Sequence, residues 1–343
     1  MCYNTVQKSK QEAYDMSQQE KKHGDLMSFR PDIKVLDATI RDGGLVNNFY
    51  FTDEFVKALY ETNVKAGVDY MEFGYKADKE QFSVTEFGKW KFCDEQDLRA
   101  IVGENDTDMK ISIMADVGRC NYKKDILPRE DSVIDMIRVA TYIHTMPAAL
   151  DMIEDAHAKG YETTCNIMAI STAKEEEIDQ ALAMLAKSNV DAIYIVDSYG
   201  SIYPEAIRSI ADKYVAAGED AGKLIGIHAH NNQQLAFANT IECVSRGVSL
   251  LDATMAEMGR GAGNCAMELL LSFLKNPKYQ IKPVLQFIEN YMLPLKQEGA
   301  VWGYDIPYLL TGRLNQHPRT AIKTVAEHNT HYSRFYDELL EQE

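Results

Sequence analysis

Short runs of apolar and β-branched residues recur eight times along this chain, at Ile33–Thr39, Tyr70–Gly74, Lys110–Met114, Val133–Ala140, Glu162–Ile170, Ala192–Val196, Leu224–His228 and Leu250–Met255. Runs of this length suit strands buried on both faces, as in a parallel sheet. Between most of them lie amphipathic helical stretches: Asp53–Ala66, Pro147–Lys159, Lys174–Lys187, Pro204–Ala217 and Gln233–Arg246, several opened by Ser, Thr, Asp or Pro start signals. Eight βα units predict an α/β fold of the closed (β/α)8 TIM-barrel type in preference to an open doubly wound sheet. Such a barrel needs about 250 residues, and the 343 present leave a surplus at both ends. Residues 1–30 read as a polar arm rich in Lys, Gln and Glu, 31–275 as the barrel, and 276–343 as a C-terminal helical extension with helical patterns at Val284–Tyr291 and Thr320–Leu340.

Charge and composition narrow the partners. A net charge of −16 and a pI near 5.0 oppose binding to nucleic acid or anionic lipid, and no Lys/Arg cluster offers a local exception. The six cysteines, Cys2, Cys93, Cys120, Cys165, Cys243 and Cys265, form no CxxC pair and suit reduced thiols. No apolar run approaches the roughly 20 residues needed to span a bilayer. A cytoplasmic protein, a homo-oligomer with small-molecule substrates, is expected.

The seventh run closes on His228-Ala229-His230. Strand side chains alternate, so both imidazoles leave one face together, as metal ligands or as ordinary hydrogen-bonded residues. In a barrel of this type the chemistry gathers at the C-terminal ends of the strands. There the sequence offers Arg41 and Asp42 after the first run, then Glu72, Asp116, Arg138, Asn166 and Asp197-Ser198, and Glu257–Asn264 after the eighth. Ring closure sets the eighth strand between the seventh and first, bringing Asp42, Asn264, His228 and His230 onto one arc. Asp42 then supplies the oxygen ligand, and the set suits Mn2+, Mg2+, Fe2+, Co2+ or Zn2+.

Each residue also has a plainer reading. Arg41-Asp42 alone would be a turn or surface ion pair, and the Gly259–Gly263 loop is either a phosphate cradle or a tight turn. Asn264 is a ligand, a helix N-cap, or both. Glu72, Asp116, Arg138 and Asn166 either hold one another as a polar layer or, with Ser198, contact substrate. Tyr291, Tyr304 and Tyr308 are most simply packing residues of the extension.

Asp37-Ala-Thr-Ile-Arg-Asp-Gly-Gly44, Gly226-Ile-His-Ala-His-Asn-Asn232 and Gly259-Arg-Gly-Ala-Gly-Asn264 together resemble the DRE-TIM metallolyase superfamily. The resemblance is strongest to the 4-hydroxy-2-oxovalerate aldolases and extends to hydroxymethylglutaryl-CoA lyases. Ile137–Thr141, Val196–Ser198, Leu235–Thr240 and Leu251–Thr254 follow in the same order, so about 240 residues are covered. It implies a divalent metal, usually Mn2+ or Mg2+, on Asp42, His228 and His230, with Asn264 as a further ligand. It also implies a 2-oxo acid such as pyruvate, an enolate, an aldehyde partner, and Arg41 beside the enolate oxygen.

The chain departs from that pattern at Leu45, where the aldolases carry a histidine that serves as general base. Leucine accepts no proton. Tyr304, in a Gly-Tyr resembling one in the aldolases' C-terminal segment, is an acid/base candidate, with Glu72 and Tyr75 behind it. The segment Trp302–Arg313 does not follow the aldolases' dehydrogenase-docking domain, which puts an aldehyde dehydrogenase partner in doubt. Two further readings stand beside the aldolase: a Claisen-type enzyme using an acyl-CoA, and a catalytically weak metal-binding barrel with a regulatory role.

Overall fold

The computed structural model describes residues 28–341. Eight parallel strands, β1 (Lys34–Asp37), β2 (Tyr70–Tyr75), β3 (Lys110–Asp116), β4 (Met136–Thr141), β5 (Glu162–Ile167), β6 (Ala192–Asp197), β7 (Leu224–Ala229) and β8 (Leu250–Ala253), close into one barrel in sequence order. The seam joins β1 to β8, setting Leu36 opposite Asp252 and Asp37 opposite Ala253. This is the (β/α)8 TIM barrel expected from the sequence, and helices follow it at the C-terminal end. The polar arm falls on residues outside those described, apart from 28–30.

Local signals set the helix limits. Helix Asp53–Ala66 starts where the Thr52 hydroxyl accepts the Phe55 N–H at 3.2 Å, and stops at Gly67, whose φ of +74° suits glycine. Pro204 opens helix Pro204–Ala221, its missing N–H costing nothing at that position. The pattern over Thr320–Leu340 is two helices, Arg319–Ala326 and Tyr332–Leu340. The chain breaks between them at His328, with φ of +52°, and at Asn329, whose side chain accepts the His331 N–H at 3.0 Å. The pattern at Val284–Tyr291 is helix Ile281–Phe287 continued by a π-helical turn, Ile288–Met292.

Inside the barrel, Leu36, Tyr70, Met136, Tyr194 and Leu250 pack together. Large and bare positions alternate: a side chain at Gly226 would strike the Tyr194 ring, and the Arg138 guanidinium lies 4.4 Å from that ring's centroid. At the N-terminal ends of the strands Glu162 accepts from Tyr70 at 2.9 Å and from Lys110 at 2.6 Å. Apolar packing between strands and helices makes up the main core.

The extension is stitched to the loops that follow the strands. Trp302 Nε1 donates to the Ala256 carbonyl at 2.9 Å, Asn232 Nδ2 to the Tyr308 carbonyl at 3.2 Å, and Ser201 Oγ to Asn315 Oδ1 at 2.7 Å. The C-terminal face of the barrel is thereby partly roofed. Among the described residues no helix is long and apolar enough to cross a membrane.

Candidate metal centre

Asp37, the last residue of β1, accepts the Thr39 N–H at 2.8 Å and the Thr39 hydroxyl. The bend turns the chain directly into helix Thr39–Asn47. The Arg41-Asp42 pair, read from sequence as a strand end, thus lies in the first turns of a helix, buried over the barrel mouth. Gly43 and Gly44 let that helix lie close, because added side chains would strike Met258 and Phe49. On the facing arc β7 carries His228 inward, and His230 forms an isolated bridge to Asn264 just beyond the strand.

One ligand atom from each of Asp42, His228 and His230 lies within 4.8 Å of the others, and all three residues are buried. The two imidazoles meet edge to face with centroids 5.2 Å apart. His228 Nδ1 is 3.0 Å from Asp252 Oδ2, and His230 Nδ1 is 3.2 Å from the Gly263 carbonyl. With Nδ1–H donating to these acceptors, each Nε2 keeps its lone pair for a ligand. Burial pushes His230 down to about 3, so its imidazole is neutral, the form that ligates. Burial also opposes the charge of Asp42, but the guanidiniums of Arg41 and Arg260 beside it favour the carboxylate and hold it well below the usual range.

Asp42 is held on both sides. Its Oδ1 accepts from Arg41 Nη1 at 2.7 Å, and its Oδ2 accepts from Asn264 Nδ2 at 2.6 Å and from the Arg260 N–H at 3.3 Å. The Asn264 carbonyl oxygen is buried with no partner, which a native interior rarely tolerates. Two imidazoles, a carboxylate and this orphaned oxygen fit a divalent cation.

A buried ionic chain supports the cluster. Glu72 accepts from Arg41 Nε at 2.7 Å and from Arg138 Nη1 at 2.9 Å, and Arg138 Nη2 donates to Asp252 at 2.6 Å. Asp42, Glu72 and Asp252 are thus each held by a guanidinium of Arg41 or Arg138, and Arg260 stands on the cavity wall beside them. Burial disfavours the charge on Asp252, yet Arg138 and His228 hold its carboxyl below the ordinary range.

The sequence candidates divide accordingly. Arg41, Asp42, His228, His230, Asn166 and Ser198 line a cavity of about 60 Å³ over the barrel mouth, with Leu45 beside them. Asn264 touches Asp42 from beneath the loop. Glu72 and Arg138 are fully buried and bind each other rather than facing the cavity. Tyr304 is 53 % exposed and is not among the residues lining the cavity with Asp42, His228 and His230. Three residues to which the sequence assigned no role or only a minor one belong here: Asp252 behind His228, Arg260 and Tyr75 on the cavity wall. Asp252 and Arg260 stand inside the quoted motifs, but nothing in their spacing shows what they touch.

Two substitutions test the support. Asp252→Asn keeps the shape but loses the carboxylate behind His228, and about a 10–100-fold loss of metal affinity is expected from a competitive chelator titration. Gly259→Ala drives a methyl group into Asn264 Nδ2 and Asp42 Oδ2. A weakening of metal binding by at least tenfold is expected in calorimetry, with far-UV circular dichroism unchanged.

The chain is similar over 252 residues, at 28 % identity, to the 4-hydroxy-2-oxovalerate aldolase of Pelotomaculum thermopropionicum, covering 73 % of this chain and 72 % of that protein. It is likewise 28 % identical over 242 residues to an oxaloacetate decarboxylase of Mycobacterium tuberculosis, covering 70 % and 69 %. Among solved structures, the N-terminal domain of a candidate aldolase from Bacteroides vulgatus matches with a TM-score of 0.70 and 27 % identity, over 85 % of this chain and 96 % of that one. The HMG-CoA lyase of Brucella melitensis shares the fold, with a TM-score of 0.63 at 14 % identity over 77 % and 99 %. The HMGL-like family model matches residues 32–290, a span that holds Asp42, His228, His230, Asn264 and the whole barrel, and the chain belongs to that family.

Proposed function

We propose that this chain is a metal-dependent carbon–carbon lyase of the aldolase type that forms the enolate of a 2-oxo acid such as pyruvate. The observation that carries this reading is the buried Asp42–His228–His230 cluster with Arg41 bonded to its carboxylate. Similarity to aldolases and to an oxaloacetate decarboxylase supports it. A divalent ion, Mn2+ or Mg2+ in our reading, held by Asp42, His228, His230 and Asn264, supplies Lewis acidity to the carbonyl oxygen of the 2-oxo acid.

The side chains around it each have a task. Arg41, fixed on two edges by Glu72 and Asp42, presents a positive charge that cannot reorient, which suits an oxygen gaining negative charge. Asn166 Oδ1 accepts from Thr164 at 2.8 Å, so its amide nitrogen is left to donate to substrate. Ser198 Oγ accepts the Ala169 N–H at 2.8 Å, leaving its own proton for a substrate oxygen. Leu45, Met114, Ala140, Met168 and Val196 complete a wall that is apolar on this side.

Decarboxylation of a 2-oxo diacid is a second reading, favoured by the Mycobacterium tuberculosis relative, because loss of carbon dioxide leaves the same enolate. Both readings share one test. Pyruvate in deuterated water, followed by NMR, is expected to lose its methyl signal with metal-loaded protein and to keep it with chelator-stripped protein. Loss of exchange on stripping and return on adding Mn2+ or Mg2+ support the proposal. Full metal occupancy without exchange on pyruvate or other 2-oxo acids rejects it.

A further inference from the structure

An aldol reaction needs a proton at a second oxygen, that of the aldehyde, and neither Leu45 nor the exposed Tyr304 supplies it. Tyr75, at the end of β2, does reach the cavity, lining it together with Leu45, Arg41 and the metal cluster. Its ring is clamped. Phe49 meets it edge to face at 5.7 Å, and the Lys91 ammonium lies 4.4 Å from its centroid. The same ammonium lies 4.5 Å from the Phe82 centroid and 5.1 Å from that of Phe49, and Lys91 is buried. Among the described residues neither the Lys91 ammonium nor the Tyr75 hydroxyl has a hydrogen-bond or ion-pair partner. The hydroxyl has no protein partner to hold it, and Tyr75 lines the cavity, so it is free to bond a substrate oxygen there.

We propose that the Tyr75 hydroxyl is the catalytic proton donor to the aldehyde oxygen, in the place of the base that Leu45 lacks. The inference rests on the aldolase reading above. As the enolate carbon attacks, the carbonyl π pair moves onto oxygen, which takes the Tyr75 proton. Water then reprotonates the phenolate. Cleavage runs the same steps in reverse: the phenol first gives its proton to solvent, the phenolate takes the hydroxyl proton of the aldol, the carbon–carbon bond breaks, and its electron pair forms the enolate. Arg41, and the Lys91 ammonium against the ring face, favour the phenolate, while Asp116, Asp42 and Glu72 oppose it. Burial pushes the resting phenol above its ordinary range, so it waits protonated, as a donor should. Lys91 acts through Tyr75 and is a positioning residue.

The test compares two rates in the metal-loaded full chain. One is deuterium exchange into pyruvate, which needs no aldehyde. The other is cleavage of 4-hydroxy-2-oxopentanoate to pyruvate and acetaldehyde. Tyr75→Phe keeps the ring and is expected to lower the ratio of cleavage to exchange by about a hundredfold or more, in kcat rather than KM. Lys91→Met should lower the same ratio less. A Tyr75→Phe ratio equal to that of wild type, or a parallel fall in both rates, overturns the assignment. So does a wild type that exchanges pyruvate yet cleaves no pyruvate aldol. Absence of exchange in wild type overturns the aldolase reading and this one with it.

Discussion

Replacing Arg41 by lysine is expected to slow pyruvate enolisation by on the order of a hundredfold or more while the metal stays bound. Three of its contacts fix this expectation. Nε is held by Glu72 and Nη1 by Asp42, each at 2.7 Å, and Nη2 lies 3.4 Å from His228 Nε2. One planar group thus spans a carboxylate network, a metal ligand and the cavity wall. An ammonium cannot make those contacts together, although it keeps the charge. The lysine variant is the better probe because alanine would also leave Glu72 unpaired on one side. Deuterium exchange and metal content, measured on the same sample, separate loss of chemistry from loss of the ion.

The largest effect on stability is expected at Arg138. Its guanidinium is fully buried between Glu72 and Asp252 and stacks on Tyr194. Arg138→Met fills similar space but removes one cationic partner from each of two buried carboxylates, Glu72 keeping Arg41 and Asp252 keeping His228, at a cost of about 3–5 kcal/mol. Chemical denaturation should show the midpoint falling with little change in slope. The double variant Glu72→Gln with Arg138→Met should recover part of the loss, because one of the two under-compensated buried charges is gone. A single variant as stable as wild type would mean that the network is not a structural element. The same variant is expected to weaken metal binding, since Asp252, no longer held by Arg138, orients His228 less well.

These two residues also show where sequence reading succeeds and where it stops. The period-two spacing of His228 and His230 is a local property, and the structure sets their imidazoles side by side. Asp42 is almost two hundred positions away in sequence, yet barrel closure, a consequence of eight repeated units, brings it to the histidines. The helical setting of Arg41 and Asp42 was hidden, because it depends on Asp37 capturing the Thr39 amide and hydroxyl immediately after a short strand. Glu72 and Arg138 were visible as strand-end polar residues, but their choice between substrate and each other is made by distances across the barrel. Asp252 carried no signal of its own, since any acidic residue on a strand looks alike until its neighbour on β7 is known. Tyr304 is the opposite case: a short Gly-Tyr match says nothing about which way a side chain faces, and this one is largely exposed.

The central claim is that Asp42, His228 and His230 form one metal centre. Pulsed electron paramagnetic resonance of the Mn2+-loaded protein tests it most directly, by counting the nitrogen nuclei coupled to the ion. Two coupled imidazole nitrogens are expected in the wild type and one in His230→Ala, with the ion lost or weakly held in Asp42→Ala. A bound ion with no coupled nitrogen, or a spectrum unchanged by His230→Ala, would contradict the claim.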